Sequence, residues 1–202
     1  MYRKYIKRII DIVMCLVGLP IFALIFIVVA PLIFFEDKGT VFYNAERLGK
    51  NGKIFKMYKF RSMKVNAPDI RNADGSTYNG DNDVRVTRIG RILRKTSLDE
   101  IPQILNVLKG DMSIIGPRAH LTTHFECLDK LDSNQRKRLE VRPGITGYNQ
   151  AYFRNSVDFK QKVKNDVFYV ENMSFFLDLK ILIKTFVSVV RKENIYNSNV
   201  AS

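Results

Sequence analysis

The chain has 202 residues, 46% of them hydrophobic and two of them cysteine. That is apolar material for one core, too little length for several domains and too few thiols for a disulfide framework, so Cys15 and Cys127 read as reduced thiols. A formal charge of +13 points to polyanionic partners: nucleic acid, anionic lipid or phosphorylated substrates.

The first predicted element is a helix. Ile12 to Phe35 carry no charge, and the run exceeds the roughly 18 residues that mark a membrane helix. A cleaved signal peptide would show an apolar core of about 7–15 residues before small residues, whereas this longer run ends in "FFEDKG". Pro20 removes a backbone donor and is expected to kink the helix. Arg3, Lys4, Lys7 and Arg8 precede the run, and Lys50, Lys53, Lys56, Lys59, Arg61 and Lys64 follow it. Basic flanks on both sides favour a bent helix that enters and leaves the cytoplasmic leaflet, with a full span as the alternative.

Next, "GTVFYNAERLGKNGKIFKMYKFRSM" predicts one or two hairpins, and Val65 to Asp83, rich in Asn, Asp and Gly, an exposed loop. "VRVTRIGRILRKTSLDEIPQILNVLKG" predicts two helices separated near Lys95–Ser97, with Gly110 ending the second. A polar helix over "SNQRKRLE", a turn at Pro143-Gly144 and a helix over "VDFKQKVKNDVFYVENM" follow. "SFFLDLKILIKTFVSVVRK" is interrupted by Asp178, Lys180 and Lys184, so it should pack on the domain or lie at a membrane surface. The fold class is therefore α+β: a small, mostly helical domain over 37–192 with a short hairpin, preceded by a membrane-inserted helix over 1–36 and followed by a disordered tail over 193–202.

The chemistry concentrates at Asp99-Glu100. Ser97-Leu98-Asp99-Glu100 fits the S-x-x-E capping box, in which Glu100 reaches back to a backbone donor. Alternatively the pair works on phosphates. Arg85, Arg88, Arg91, Arg94 and Lys95 precede it and Arg118 follows, and a carboxylate there can share Mg²⁺ with substrate phosphate oxygens. His120 and His124 lie four apart, but Leu121 stands where the zincin pattern needs Glu. "RPGITG" (Arg142 to Gly147) is either a phosphate-binding turn or an ordinary one.

Taken together, "DVRVTRIGRILRKTSLDEIPQILNVLKGDMSIIGPR", "FKMYKFRSM" and "VRPGITG" resemble the bacterial sugar transferase family, the monotopic phosphoglycosyl transferases, from about Lys7 to Val190. The resemblance implies transfer of a sugar-1-phosphate from a UDP-sugar to undecaprenyl or a similar polyprenyl phosphate, with UMP leaving. It implies Asp99 as nucleophile, Glu100 as Mg²⁺ ligand, and Arg85, Arg118 and Arg142 at phosphate, with Lys59, Arg61 and Arg154 as further substrate-binding residues. It also implies a place at the bacterial inner membrane, on an anionic lipid surface with the catalytic domain in the cytoplasm, and no nucleic-acid partner.

Three departures stand out. Leu19 replaces the Ser usual before the kink proline, Ala119 replaces the second Pro of "GPRP", and "GYNQAYFRN" replaces the usual sequence after the turn. The segment "YNQAYFRN" is expected to line the sugar pocket. A membrane-tethered nucleic-acid-binding protein and a noncatalytic membrane scaffold are the other classes that fit the charge, although the chain has no Trp and no recognisable nucleic-acid-binding motif. Neither the sugar nor the oligomeric state is legible in the sequence.

Overall fold

The computed structural model describes residues 1–70, 78, 80, 83–122, 131–153 and 156–190. His124, Cys127, Arg154, the 193–202 tail and most of the 65–83 loop lie outside the described residues.

After a π-helical turn (Tyr2–Ile6), α1 runs from Lys7 to Asp37, through Pro20 and Pro31. It is the one helix among the described residues long and apolar enough to cross a membrane. One face is covered along its whole length. Lys7, Asp11, Cys15, Gly18, Phe22, Phe26, Val29, Ile33 and Asp37 are buried or half-buried. Successive members lie three or four residues apart, close to the helical repeat, so the seam stays nearly straight along the helix. The opposite face leaves Ile9, Val13, Val17, Leu24, Val28 and Phe35 exposed.

Strands β1 (Phe42–Leu48) and β2 (Ile54–Phe60) form the expected hairpin, in register from Phe42↔Phe60 to Leu48↔Ile54. Asn51 and Gly52 take positive φ in its connection. Helix α2 (Arg88–Thr96) is capped by Thr87, whose hydroxyl accepts from Gly90 N–H at 2.9 Å. Helix α3 (Gln103–Lys109) stops at Gly110, φ 91°, as the sequence predicts. Then come β3 (Ser113–Ile115), β4 (His120–Leu121), α4 (Ser133–Arg138), β5 (Gly144–Thr146), α5 (Tyr148–Tyr152), α6 (Phe159–Glu171) and α7 (Phe175–Val190). The sheet order is β2-β1-β4, all antiparallel, with β3 and β5 paired in parallel in a second sheet.

The β3–β5 pair corrects the reading of "RPGITG" as a phosphate-binding turn. Gly144 N–H donates to Pro117 O at 2.9 Å, so the segment is a strand with that donor already used. A Cβ on Gly144 would fall 2.1 Å from Gly116 N, and this close backbone approach explains the glycine.

Helix α1 belongs to two of the three core clusters. Cys15 packs with Phe55, Met57, Val107 and Met112, while Val29 and Ile33 pack with Phe60 and Leu93. Polar contacts fix both of its ends. Near the N-terminus, Arg8 donates to Val107 O and Leu108 O, and Asp11 accepts from Ile114 N–H at 3.0 Å. At the C-terminus, Glu36 accepts from Arg88 and Ile89 N–H, and Asp37 takes two bonds of 2.6 Å from Arg61. The third cluster joins Ile115, Tyr169 and Ile181 between β3, α6 and α7. Helix α7 is fastened to the start of α1 by Asp178, which accepts from Lys7 and from Tyr2 at 2.5 Å each.

Candidate active site

Between α2 and α3 the chain makes a 3₁₀ turn, Leu98–Glu100, and the two acidic residues sit in it. Ser97 adopts the left-handed conformation, φ 57°, and closes the C-terminus of α2, its N–H bonding Arg94 O. Its side chain caps nothing, so the capping-box reading of Ser97–Glu100 does not hold. Pro102 rather than Ser97 stands at the N-terminus of α3. That position suits proline, because the first-turn N–H groups of a helix have no intrahelical partner to lose.

Released from capping, Glu100 is held by cations. Lys59 Nζ donates to its Oε1 at 2.6 Å and Arg118 Nη2 to the same oxygen at 3.3 Å. Oε2 of Glu100 and both oxygens of Asp99 accept no hydrogen bond among the described residues. Adjacent carboxylates thus have different environments. Burial pushes Asp99 up to about 6, against the pull of Lys59, Arg94 and Arg118 and with a push from Glu100. Burial acts on Glu100 in the same direction, but Lys59 and Arg118 outweigh it and hold it down to about 2. Glu100 therefore stays ionised, and Asp99 is a carboxylate at neutral pH with no partner of its own.

The placement of Lys59 follows from Asn106. Strand β2 is an edge strand, and Asn106, fully buried on α3, completes it. Its Oδ1 accepts from Tyr58 N–H at 2.9 Å and its Nδ2 donates to Lys56 O at 2.8 Å. Helix α3 is thereby pinned to β2 one residue before Lys59. Replacing Asn106 with Ala would strand two backbone groups; we expect a loss of about 2–5 kcal/mol, read as a lowered thermal midpoint. An unchanged midpoint would show that water replaces the amide.

Of the cations implied at the site, Lys59 and Arg118 meet the dyad. The others among the described residues, Arg61, Arg85 and Arg142, have different partners. Arg61 is buried and paired with Asp37, anchoring the end of α1. Arg85 is buried and forked onto Asp83, whose carboxyl its guanidinium holds below the usual range. Arg142 donates through Nε to Gly110 O at 2.7 Å, at the far end of α3. Arg94, not singled out by sequence beyond its charge, donates to Ser62 Oγ at 3.0 Å and contributes to the field on Asp99.

Within "YNQAYFRN", Asn149 supports the site from a distance. Asn149 is buried and donates to Asp166 at 2.7 Å; Asp166 pairs with Arg138, whose Nη2 donates to Arg118 O at 3.2 Å. This buried chain steadies the backbone that carries Arg118. Nη1 of Arg138 has no partner among the described residues, and the cavity Arg138 lines with Pro117 and Arg118 is about 10 Å³, near the space one water needs. His120 lies on β4 with its ring 5.5 Å from that of Phe159. Among the described residues no group of three or more His, Cys, Asp or Glu could hold a metal.

Comparison with known proteins gives a match to the model of the bacterial sugar transferase family over residues 2–192. The galactosyl transferase CpsE of Streptococcus agalactiae is 41% identical over 187 residues, 89% of this chain and 41% of that protein. The UDP-glucose:undecaprenyl-phosphate glucose-1-phosphate transferase of Klebsiella pneumoniae is 39% identical over 184 residues, 89% of this chain and 39% of that protein. The chain thus spans less than half the length of these two. It matches 92% of the uncharacterized sugar transferase EpsL of Bacillus subtilis, at 40% identity over 194 residues and 96% of this chain. A family match of that extent, with relatives this similar, means that the chain belongs to the bacterial sugar transferase family.

Proposed function

We propose that the protein transfers a sugar-1-phosphate from a UDP-sugar to undecaprenyl phosphate or a similar polyprenyl phosphate, releasing UMP. The observation that carries this reading is the unequal carboxylate pair: Asp99 unpartnered, Glu100 clamped by Lys59 and Arg118. The substrates come from the names of relatives such as the Klebsiella pneumoniae transferase.

Asp99 attacks the phosphorus that bears the sugar, its oxygen forms the new P–O bond, and the bond to UMP breaks. A lipid-phosphate oxygen then attacks the same phosphorus and Asp99 leaves as carboxylate. Splitting the transfer in two keeps donor diphosphate and lipid phosphate from meeting as like charges. Arg118, half exposed beside Glu100, binds donor phosphate through the guanidinium nitrogens that Glu100 leaves open, as arginine forks do. Lys59 and Arg94 keep Asp99 ionised. Mg²⁺ suits the free Oε2 of Glu100, since it commonly takes one or two carboxylates together with phosphate oxygens. When bound, it supplies charge that offsets the diphosphate.

The acceptor is a membrane lipid, and we read α1 as re-entrant, with the catalytic domain at the cytoplasmic face of the inner membrane. A straight α1 would be about 46 Å long, more than a hydrocarbon core of about 30 Å. Yet Arg8 near one end and Asp37 at the other both bind the same domain, which favours one-sided insertion over a span. Cysteines introduced at Lys4 and Lys160 should both label only from the cytoplasm; labelling of position 4 from outside would establish a span.

The test of function is a panel of UDP-sugars incubated with polyprenyl phosphate and Mg²⁺. At least one should release UMP and yield the lipid-linked phosphosugar, and release from none would refute the reading.

A further inference from the structure

The N-terminus of α2 is satisfied from two different elements. Thr87, just before the helix, accepts from Gly90 N–H through its hydroxyl and from Arg91 N–H through its carbonyl, each at 2.9 Å. That is an ordinary N-cap, and it is enough to start a helix; the two donors ahead of these are commonly left to water. Here they are taken up by another helix. Glu36, in the last turn of α1, accepts from Arg88 N–H through Oε1 at 2.6 Å and from Ile89 N–H through Oε2 at 3.2 Å. Its carboxylate also meets the positive end of the α2 dipole. Thr87 caps the helix; Glu36 attaches it to α1.

The attached helix leads directly to the carboxylate pair. Thr96 ends α2, Ser97 closes it, and Asp99 stands in the turn that follows. Between Glu36 and that turn, Ile89 and Leu93 rest on Val29 and Ile33 of α1. The far side of the turn is held by the same helix. Arg8 donates to Val107 O and Leu108 O at the end of α3. Ile104 of α3 lies so close to Gly18 that a Cβ on the glycine would fall 2.9 Å from its Cδ1. Helices α2 and α3 are thus both seated on α1, one on each side of the turn. Asp99 accepts no hydrogen bond among the described residues, so its place is set by these two seats.

We propose that Glu36 is a positioning residue for Asp99: by fastening the N-terminus of α2 to the last turn of α1, it fixes the direction in which the turn presents the nucleophile. Without Glu36, α2 pivots on its Leu93 contact and the turn moves with it. The helix proposed to enter the membrane then also carries the reference point for the carboxylate. The catalytic consequence rests on the proposed reaction, whereas the attachment can be read without any substrate.

Full chains carrying Glu36→Ala, Glu36→Gln or Asp158→Ala are compared with wild type in neutral detergent. Glu36 is exposed, so its replacement leaves the core intact. Asp158→Ala controls for lost stability: it removes an ordinary N-cap from α6, where Asp158 accepts from Gln161 N–H at 2.7 Å. In Glu36→Ala, hydrogen exchange over residues 97–101 should speed up by about fivefold or more, while the β1–β2 hairpin keeps its protection. The kcat for UMP release should fall by about tenfold or more, with the KM for the donor unchanged. Glu36→Gln keeps one acceptor oxygen and should lie between. Asp158→Ala should lower the thermal midpoint comparably yet leave exchange over 97–101 and kcat at wild-type values. A kcat that follows the thermal midpoint across all three variants would make Glu36 a stabilising contact only. Wild-type exchange over 97–101 in Glu36→Ala would overturn the attachment. If wild type itself releases no UMP, the proposed reaction falls and Asp99 with it as nucleophile, while exchange still decides the attachment.

Discussion

Asp99→Asn should lower UMP release by on the order of 10⁴-fold or more, the scale seen when a covalent nucleophile is removed. The amide keeps the shape of the side chain but can neither attack phosphorus nor carry the phosphosugar. Because Asp99 makes no hydrogen bond among the described residues, its replacement should leave the thermal midpoint essentially unchanged. The expected combination is lost chemistry with an intact fold. A variant that turns over at a rate near wild type would leave Asp99 without a catalytic role.

Lys59→Met should lower turnover by on the order of 10²-fold, comparable to removing one preorganised donor from an active site. The lysine is the first of the charges holding both carboxylates in ionised form. In metal-free wild type, ¹³C NMR of labelled aspartate and glutamate should find Asp99 titrating near 6 and Glu100 near 2. With Lys59 gone, burial is opposed by less positive charge, so both values should rise and less Asp99 carboxylate remains at neutral pH. Unchanged titrations would show that Lys59 and Glu100 are not paired in solution.

What was legible in the sequence was local. The uncharged Ile12–Phe35 run, the breaker at Gly110 and the break near Ser97 each specify structure through neighbouring residues, and each appears where expected. The capping box failed because spacing does not reveal φ: Ser97 ends α2 in the left-handed region instead of starting α3. The β3–β5 pair was missed because its strands are three residues each and far apart in the chain. At the site, the Asp99-Glu100 pair was legible but its asymmetry was not. That depends on Lys59, 41 residues away, and on Asn106, a polar residue on the buried face of an apolar helix. In sequence Arg61 looked equivalent to Lys59, and Arg85 stood ahead of both as a phosphate-binding residue. Asp37 and Asp83 engage the two arginines instead.

The covalent step is the central claim, and one measurement reaches it directly. Enzyme is mixed with a UDP-sugar that it turns over and with Mg²⁺, without polyprenyl phosphate, and the products are read by UMP quantification and intact mass. The account predicts up to one equivalent of UMP, a mass increase equal to one sugar phosphate, and its localisation to Asp99 by fragmentation. Adding polyprenyl phosphate should then discharge the adduct. UMP release that requires the lipid from the outset, with no mass increase on the protein, would contradict it and leave direct transfer between the two substrates.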